Sequence, residues 1–253
     1  MQTVNSSLNK AVRWTAMLWV TSLMGVSCVP GQMAGEPSVD PPVNTLTPRQ
    51  EAEGWELLFD GDNPATHWRN YNQEELSDGW QVIEGGWLAR VEDRAGDIIT
   101  RETFDDFELF LEWKVDNRSN SGIFYMVQEL EGRPIWHSAP EYQILDNRPN
   151  QSPQTAAGSL FDLIGSSAWN EAARPAGEIN TARIVKRGDY VEHHMNGRLL
   201  FTFNMNTDEW HEKVEQSKFN APPFATAPKG HIGLQDHGDW VAFRNIRIRR
   251  LGE

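Results

Sequence analysis

The sequence predicts an all-β domain, a two-sheet antiparallel β-sandwich or jelly roll with one or two short helices. Three observations carry this. Short segments alternate apolar and polar side chains, the period of a strand with one buried face. Turn residues separate them, as in Asp60-Gly61-Asp62-Asn63-Pro64, Glu84-Gly85-Gly86 and Asn196-Gly197. Only Asp208 to Lys218 has helical spacing, with Trp210, Val214 and Ser217 on one side.

Residues 1 to 28 read as a secretory leader. Lys10 and Arg13 form a basic region without acidic residues, and an apolar run from Trp14 to Val26 follows. The run is shorter than the roughly 20 residues of a membrane span. It leads through small residues to Cys28, the single cysteine, as in a bacterial lipoprotein whose thiol is lipidated. Gly25 stands where leucine is usual in such signals. Val29 rather than Asp after Cys28 leans towards the outer membrane. The expected location is the cell envelope, outer membrane or periplasm, with the membrane as a partner through the N-terminal lipid. One cysteine also rules out an intrachain disulfide and cysteine-based zinc sites. Residues 29 to 50 read as a tether: Pro30, Pro37, Pro41, Pro42 and Pro48 lie among small polar residues without apolar period. One domain, 51 to 253, remains.

Within it, Trp55–Phe59 is a short strand. Trp80–Ile83 and Trp87–Val91 flank a turn as a hairpin. Phe107 to Val115 puts Phe107, Leu109, Leu111, Trp113 and Val115 on one face and Glu108, Phe110, Glu112 and Lys114 on the other. The polar second face of this strand is therefore wet. Gly122–Val127, Glu141–Asp146, Ile179–Lys186 and Tyr190–Met195 continue the pattern. Asn196-Gly197 then suits a type I′ hairpin turn into Leu199–Phe203. His231–Leu234 and Trp240–Ile248 close the domain. In the last strand Val241 and Phe243 share one parity, Ile246 and Ile248 the other, which predicts a bulge at Arg244-Asn245. Asn147 to Gly177 has little period, and so long a loop is usually functional or rim-forming.

The net charge of −13 argues against a nucleic-acid partner. Eleven tryptophans fit a large core, and also sugar-stacking platforms. There is no Gly-x-Ser-x-Gly elbow, no phosphate-binding glycine loop and no His-Glu-x-x-His. No cofactor is predicted. The diffuse acidic charge does not favour a calcium site, and help from a divalent metal stays open. Four polar stretches stand out: Asn117 to Gly122, Glu141 to Asp146, Glu192 to Gly197, and Gln235 to Asp239 with Phe243-Arg244-Asn245. Glu141 and Gln143 share one strand face. His193 and His194 point to opposite sides, so at most one faces a given site.

These stretches, with Trp55 to Gly61, Phe107 to Lys114 and Gly233 to Gly238, occur in an order that resembles the domain of unknown function 1080, or 3-keto-disaccharide hydrolase, family. The likeness covers about Gly54 to Leu251. It implies a sandwich of the concanavalin or laminin-G type, export, and cleavage of a glycoside oxidised at carbon 3. Two positions depart from the family pattern. Ile179 stands where tryptophan is frequent, and His194 where an aromatic is common. The substrate's identity is therefore not carried over.

Such a reaction needs a base for the acidified carbon-2 hydrogen, an acid for the leaving oxygen, and donors for the enolate oxygen. Laid over the matched motifs, Glu141 or His193 is the base and His237 the acid or shuttle, since an unperturbed imidazole titrates at about 6.5. Lys114, Gln143, Gln235 and Arg244 hold oxygens, Asn120 and Ser121 shape the rim, and Asp146 orients a neighbour. The competing readings are a non-catalytic glycan-binding module and an envelope scaffold. Convergence of the histidines on a glutamate favours the enzyme. Their dispersal favours binding.

Overall fold

The computed structural model describes residues 42–166, 169–221 and 223–252. The leader, Cys28 and the tether as far as Pro41 lie outside the described residues.

Thirteen strands alternate with turns. They are β1 (Trp55–Leu57), β2 (Trp68–Asn70), β3 (Trp80–Ile83), β4 (Trp87–Arg90), β5 (Ile98–Thr100), β6 (Phe107–Val115) and β7 (Asn120–Val127). Then follow β8 (Glu141–Leu145), β9 (Asn180–Arg187), β10 (Tyr190–Met195), β11 (Arg198–Asn204), β12 (His231–Leu234) and β13 (Val241–Arg250). Among the described residues three short α-helices accompany them: α1 (Pro48–Ala52), α2 (Trp169–Ala172) and α3 (Asp208–Glu215). One sheet runs β11-β10-β9-β6-β13-β4-β3, with β1 as its eighth strand. The other runs β2-β5-β12-β7-β8. All these pairings are antiparallel. The two-sheet sandwich expected from the alternation is what the chain forms.

The core lies between the sheets. From the larger sheet β6 sends in Phe107, Leu109, Leu111, Trp113 and Val115, all buried. Ile98, Ile123, Tyr125, Tyr142, Ile144, Ile232 and Leu234 of the smaller sheet join the same cluster. Each such side chain contributes roughly 1.5–3 kcal/mol on leaving water, which fixes register, since a one-residue slip would turn this row outwards. Strands β2 and β5 carry no sequence signal because each is three residues long. Ile98, Ile99 and Thr100 are buried on both faces, so no alternation marks them.

The bulge in β13 is where expected. Its register to β6 shifts between Arg244 and Arg247, and Asn245 has φ +51°. The bulge divides one edge of β13 between β4, which pairs with residues 241–243, and β1, which pairs with 247–249. It also fixes the N-terminal segment. The Asn44 amide N–H donates to Asn245 Oδ1 (2.6 Å), and the Asn245 N–H donates to Asn44 Oδ1 (2.7 Å). Asn44 Nδ2 donates to the Gly86 carbonyl (2.8 Å).

The chain is thus bound to the sheet from Asn44, inside the segment expected to be tether up to Gln50. Helix α1 follows at once, held by a capping box between Thr47 and Gln50. An apolar-period test misses this because the attachment is made by two asparagine side chains. Replacing Asn44 by Ala leaves the Asn245 N–H without its acceptor. It should lower unfolding free energy by about 2 kcal/mol in urea titration, with the denaturant slope unchanged.

Candidate active site

The alternation of the five-stranded sheet sorts its residues into a dry and a wet side. On β8, Tyr142 and Ile144 face the core, so Glu141 and Gln143 face outwards. On β7, Ile123 and Tyr125 face the core, so Asn120 and Gly122 face outwards. Gln235 follows β12 on the outward parity, and Asp97 precedes β5 on the same side. These groups line a pocket of about 320 Å³ with Trp136, Phe161, Lys218, Phe219 and the turn Asp236-His237. That volume lies at the lower end of the range for small-molecule sites, about 300–1,000 Å³.

Glu141 faces Phe124 across the ladder, and its side chain lies over the diagonal neighbour Gly122, which has no side chain. A Cβ on Gly122 would stand 2.3 Å from Glu141 Oε1 and 2.8 Å from its Cγ. With the Gln143 amide assigned in the orientation that satisfies both its ends, its nitrogen donates to Glu141 Oε1 (3.2 Å) and to the Ser121 carbonyl (2.9 Å). Burial raises the Glu141 carboxyl from 4.5 to about 8. The Lys218 ammonium works against this rise and the Asp97 charge adds to it. Asp97 is itself pushed up to about 6, chiefly by burial, against the Asp236 N–H that donates to its Oδ1. Two carboxyls with raised and separated pKa values thus line one pocket, the arrangement that acid–base chemistry uses.

The turn bearing His237 is fixed by Asp236. Its Oδ1 accepts from Arg90 Nε (2.7 Å) and the Gly238 N–H (3.0 Å), and its Oδ2 from the Gly96 N–H (2.8 Å). The other Arg90 branch donates to the Gly238 carbonyl (2.9 Å). The Asn120 N–H donates to Asp239 Oδ2 (3.0 Å), which ties the same turn to β7. His237 itself is exposed at the rim. Gln235 Oε1 is shut off from solvent and has no hydrogen-bond partner among the described residues.

Of the expected site residues, Glu141, His237, Asn120, Gln143 and Gln235 meet here. Ser121 lies beneath, its Oγ donating to the Gln235 carbonyl (2.8 Å). Asp146 stands at the end of β8 and accepts the Arg118 N–H (2.8 Å), so it holds the preceding turn rather than the pocket.

Three residues are elsewhere. His193 is fully buried in the core and is not a base for this site, so the expected convergence of both histidines on a glutamate is not met, and only His237 lines the pocket with Glu141. Its Nδ1 lies 3.1 Å from the Gly158 carbonyl and must donate, so Nε2 accepts from the Tyr125 hydroxyl (3.0 Å). Burial drives its pKa down to about 3, so it stays neutral. Lys114 and Arg244 belong to the outer face of the eight-stranded sheet, where both lie over Trp87. The parity that exposes them on β6 and β13 also sends them away from the other sheet.

The sequence reading missed Asp97, Trp136, Phe161, Lys218 and Phe219. Asp97 had one usable signal, a Gly-Asp pair before an Ile-Ile-Thr run. The rim residues come from loops with no period at all. Among the described residues no group of three or more His, Cys, Asp or Glu is placed to hold a metal ion.

Comparison with known proteins places this pocket in context. Residues 54–249 match the family described as 3-keto-alpha-glucoside-1,2-lyase-like domain. A 3-keto-disaccharide hydrolase of Bacteroides thetaiotaomicron is 33% identical over 234 residues, which cover 79% of this chain and 80% of that protein. A crystal structure assigned as a glycosyl hydrolase from Parabacteroides distasonis superimposes with a TM-score of 0.76 at 28% identity. It covers 83% of this chain and 100% of its own. A second one from that species shares the fold, with TM-score 0.56 and 24% identity over 78% of this chain and 99% of its own.

The buried carboxyl has a stability signature. Glu141 binds its proton more tightly folded than unfolded, so folding loses free energy as pH rises from about 4.5 to about 8. Glu141→Gln should remove most of that loss. At pH 9 the variant is expected to be more stable than wild type, by on the order of 2–4 kcal/mol, and about equal at pH 4.5. Urea titrations at the two pH values measure both.

Proposed function

The chain belongs to the 3-keto-alpha-glucoside-1,2-lyase-like family, and from that premise we propose that its pocket cleaves glycosides whose sugar carries a ketone at carbon 3. The observation that supports this most is the Glu141 carboxyl, desolvated on Gly122 and raised to about 8. A ketone at carbon 3 acidifies the hydrogen on carbon 2. A carboxylate of raised pKa is a stronger base than an ordinary one, and its pKa lies near the working pH, where general-base catalysis is most effective.

Glu141 takes the carbon-2 proton, and the electron pair moves towards the ketone oxygen as an enolate. The enolate collapses, the carbon 1–oxygen bond breaks, and a carbon 1–carbon 2 double bond remains. His237, at the open rim, gives a proton to the departing oxygen. Water then adds at carbon 1 and a proton returns to carbon 2, so the net change is hydrolysis. Lys218 brings positive charge towards the developing enolate, and the Asn120 amide offers donors. Trp136 and Phe219 give the rim an apolar wall for a sugar face.

A second reading is direct hydrolysis by paired carboxyls, because Asp97 and Glu141 line one pocket. The two readings part on substrate. Under elimination, 3-keto-trehalose and 3-keto-sucrose release free sugar while trehalose and sucrose do not. Cleavage of the unoxidised parents at similar rates overturns it. Glu141→Gln should lower kcat about 10³-fold. Wild-type kcat/KM should climb with pH through a half-maximal point near pH 8, as measured by initial rates across pH 5–10.

The leader and Cys28 support an envelope location with a lipid on the Cys28 thiol. Cys28→Ser should move the chain from the membrane pellet to the soluble fraction of a cell lysate.

A further inference from the structure

The outer face of the eight-stranded sheet carries cations stacked on aromatic rings. Arg247 lies over Phe110 at 3.8 Å from the ring centre and within 5.5 Å of Trp55, and Arg249 lies over Trp55 at 5.0 Å. The neighbouring arginines are paired. Arg244 donates to Glu112 (2.7 Å), and Arg183 and Arg249 share Glu108. Arg247 differs. Its guanidinium makes no hydrogen bond to any described group, and its Nε is closed off from solvent. Burial works against its charge, yet a guanidinium keeps its proton in a protein. The charges of Glu112 and Glu108 offset part of that cost, but neither carboxylate bonds the guanidinium, which leaves its donors for a further anion.

Arg247 also stands between two clefts. One, about 430 Å³, lies between the sheet and α1, and brings Arg49, Arg183, Arg247 and Arg249 together against only Glu53 and Glu108. The other, about 360 Å³, lies beside the β13 bulge and shares Gln50, Phe110 and Arg247 with the first. An excess of positive charge is unusual in a chain of net charge −13. Guanidinium groups already lie over the rings of Trp55 and Phe110. They offer the edge of a planar fork. Gln50 spends its Oε1 on the α1 cap, which leaves its amide nitrogen to donate.

We propose that these clefts form a second ligand site, separate from the Glu141 pocket, that binds a saccharide bearing a carboxylate. The carboxylate meets the Arg247 fork in a two-point contact. The sugar hydroxyls meet the Gln50 amide and the Glu53 carboxylate at the cleft wall. No bond is made or broken. The site rests on the opposite sheet and does not depend on the reaction assigned to the pocket.

Isothermal titration of the full chain with digalacturonate tests this, beside inorganic phosphate and the uncharged digalactose. Saturable binding of digalacturonate is expected, weakened about tenfold or more by Arg247→Gln. Arg247→Lys keeps the charge without the fork, so it should fold and still bind more weakly. Glu141→Gln should bind as wild type, and Arg247→Gln should turn over 3-keto-trehalose as wild type. The proposal fails if digalacturonate does not saturate, or if Arg247→Gln and Arg247→Lys bind it unchanged. It fails equally if digalactose or phosphate binds as tightly.

Discussion

One buried ion pair, Arg90 with Asp236, joins the two sheets where the pocket opens. Arg90 ends β4 in the eight-stranded sheet, and Asp236 lies just beyond β12 in the five-stranded one. Both side chains are 7% exposed. A bare pair at such depth costs more in lost hydration than its attraction returns. Here two backbone N–H groups and a carbonyl complete the hydrogen bonding. What the pair gives is position. It sets the turn that carries His237, and through the Asp236 N–H it sets Asp97.

The acid–base character of the pocket comes from the sheet beneath it. Two glutamates with the same chemistry show this. Glu108, on the outer face of the other sheet, is bound by two arginines that outweigh its burial, and its carboxyl titrates low. Glu141 has no such partner, lies on bare backbone at Gly122, and titrates high. Desolvation opposed only by the Lys218 charge leaves one carboxyl raised, and desolvation opposed by two bonded arginines leaves the other lowered.

What could be read from sequence follows from what each element depends on. The nine-residue β6 was legible in full, because one face is core and the alternation is unbroken. The β13 bulge was legible as a slip of parity. Glu141 and Gln143 were legible as a same-face pair. His193 was not separable from a site histidine, because the partners that make it a core residue, Tyr125 and Gly158, come from distant strands and loops. Lys114 and Arg244 were assigned to the pocket because periodicity tells in from out but not which of two outsides. The rim residues Trp136, Phe161 and Phe219 depend on how aperiodic loops fold back, and nothing local encodes that.

The reciprocal Asn44–Asn245 contact has a mechanical consequence. Among the described residues Asn44 is the first bonded to the sheet, and tension applied at Asn44 is delivered to the fold there. From there it passes into β13, an inner strand braced on one side by β6 and on the other by β4 and β1. A strand clamped along both edges yields only when many ladder bonds break together. The load path therefore stays in one sheet. Glu141, on an edge strand of the other, sits outside it and keeps its geometry while the chain is pulled.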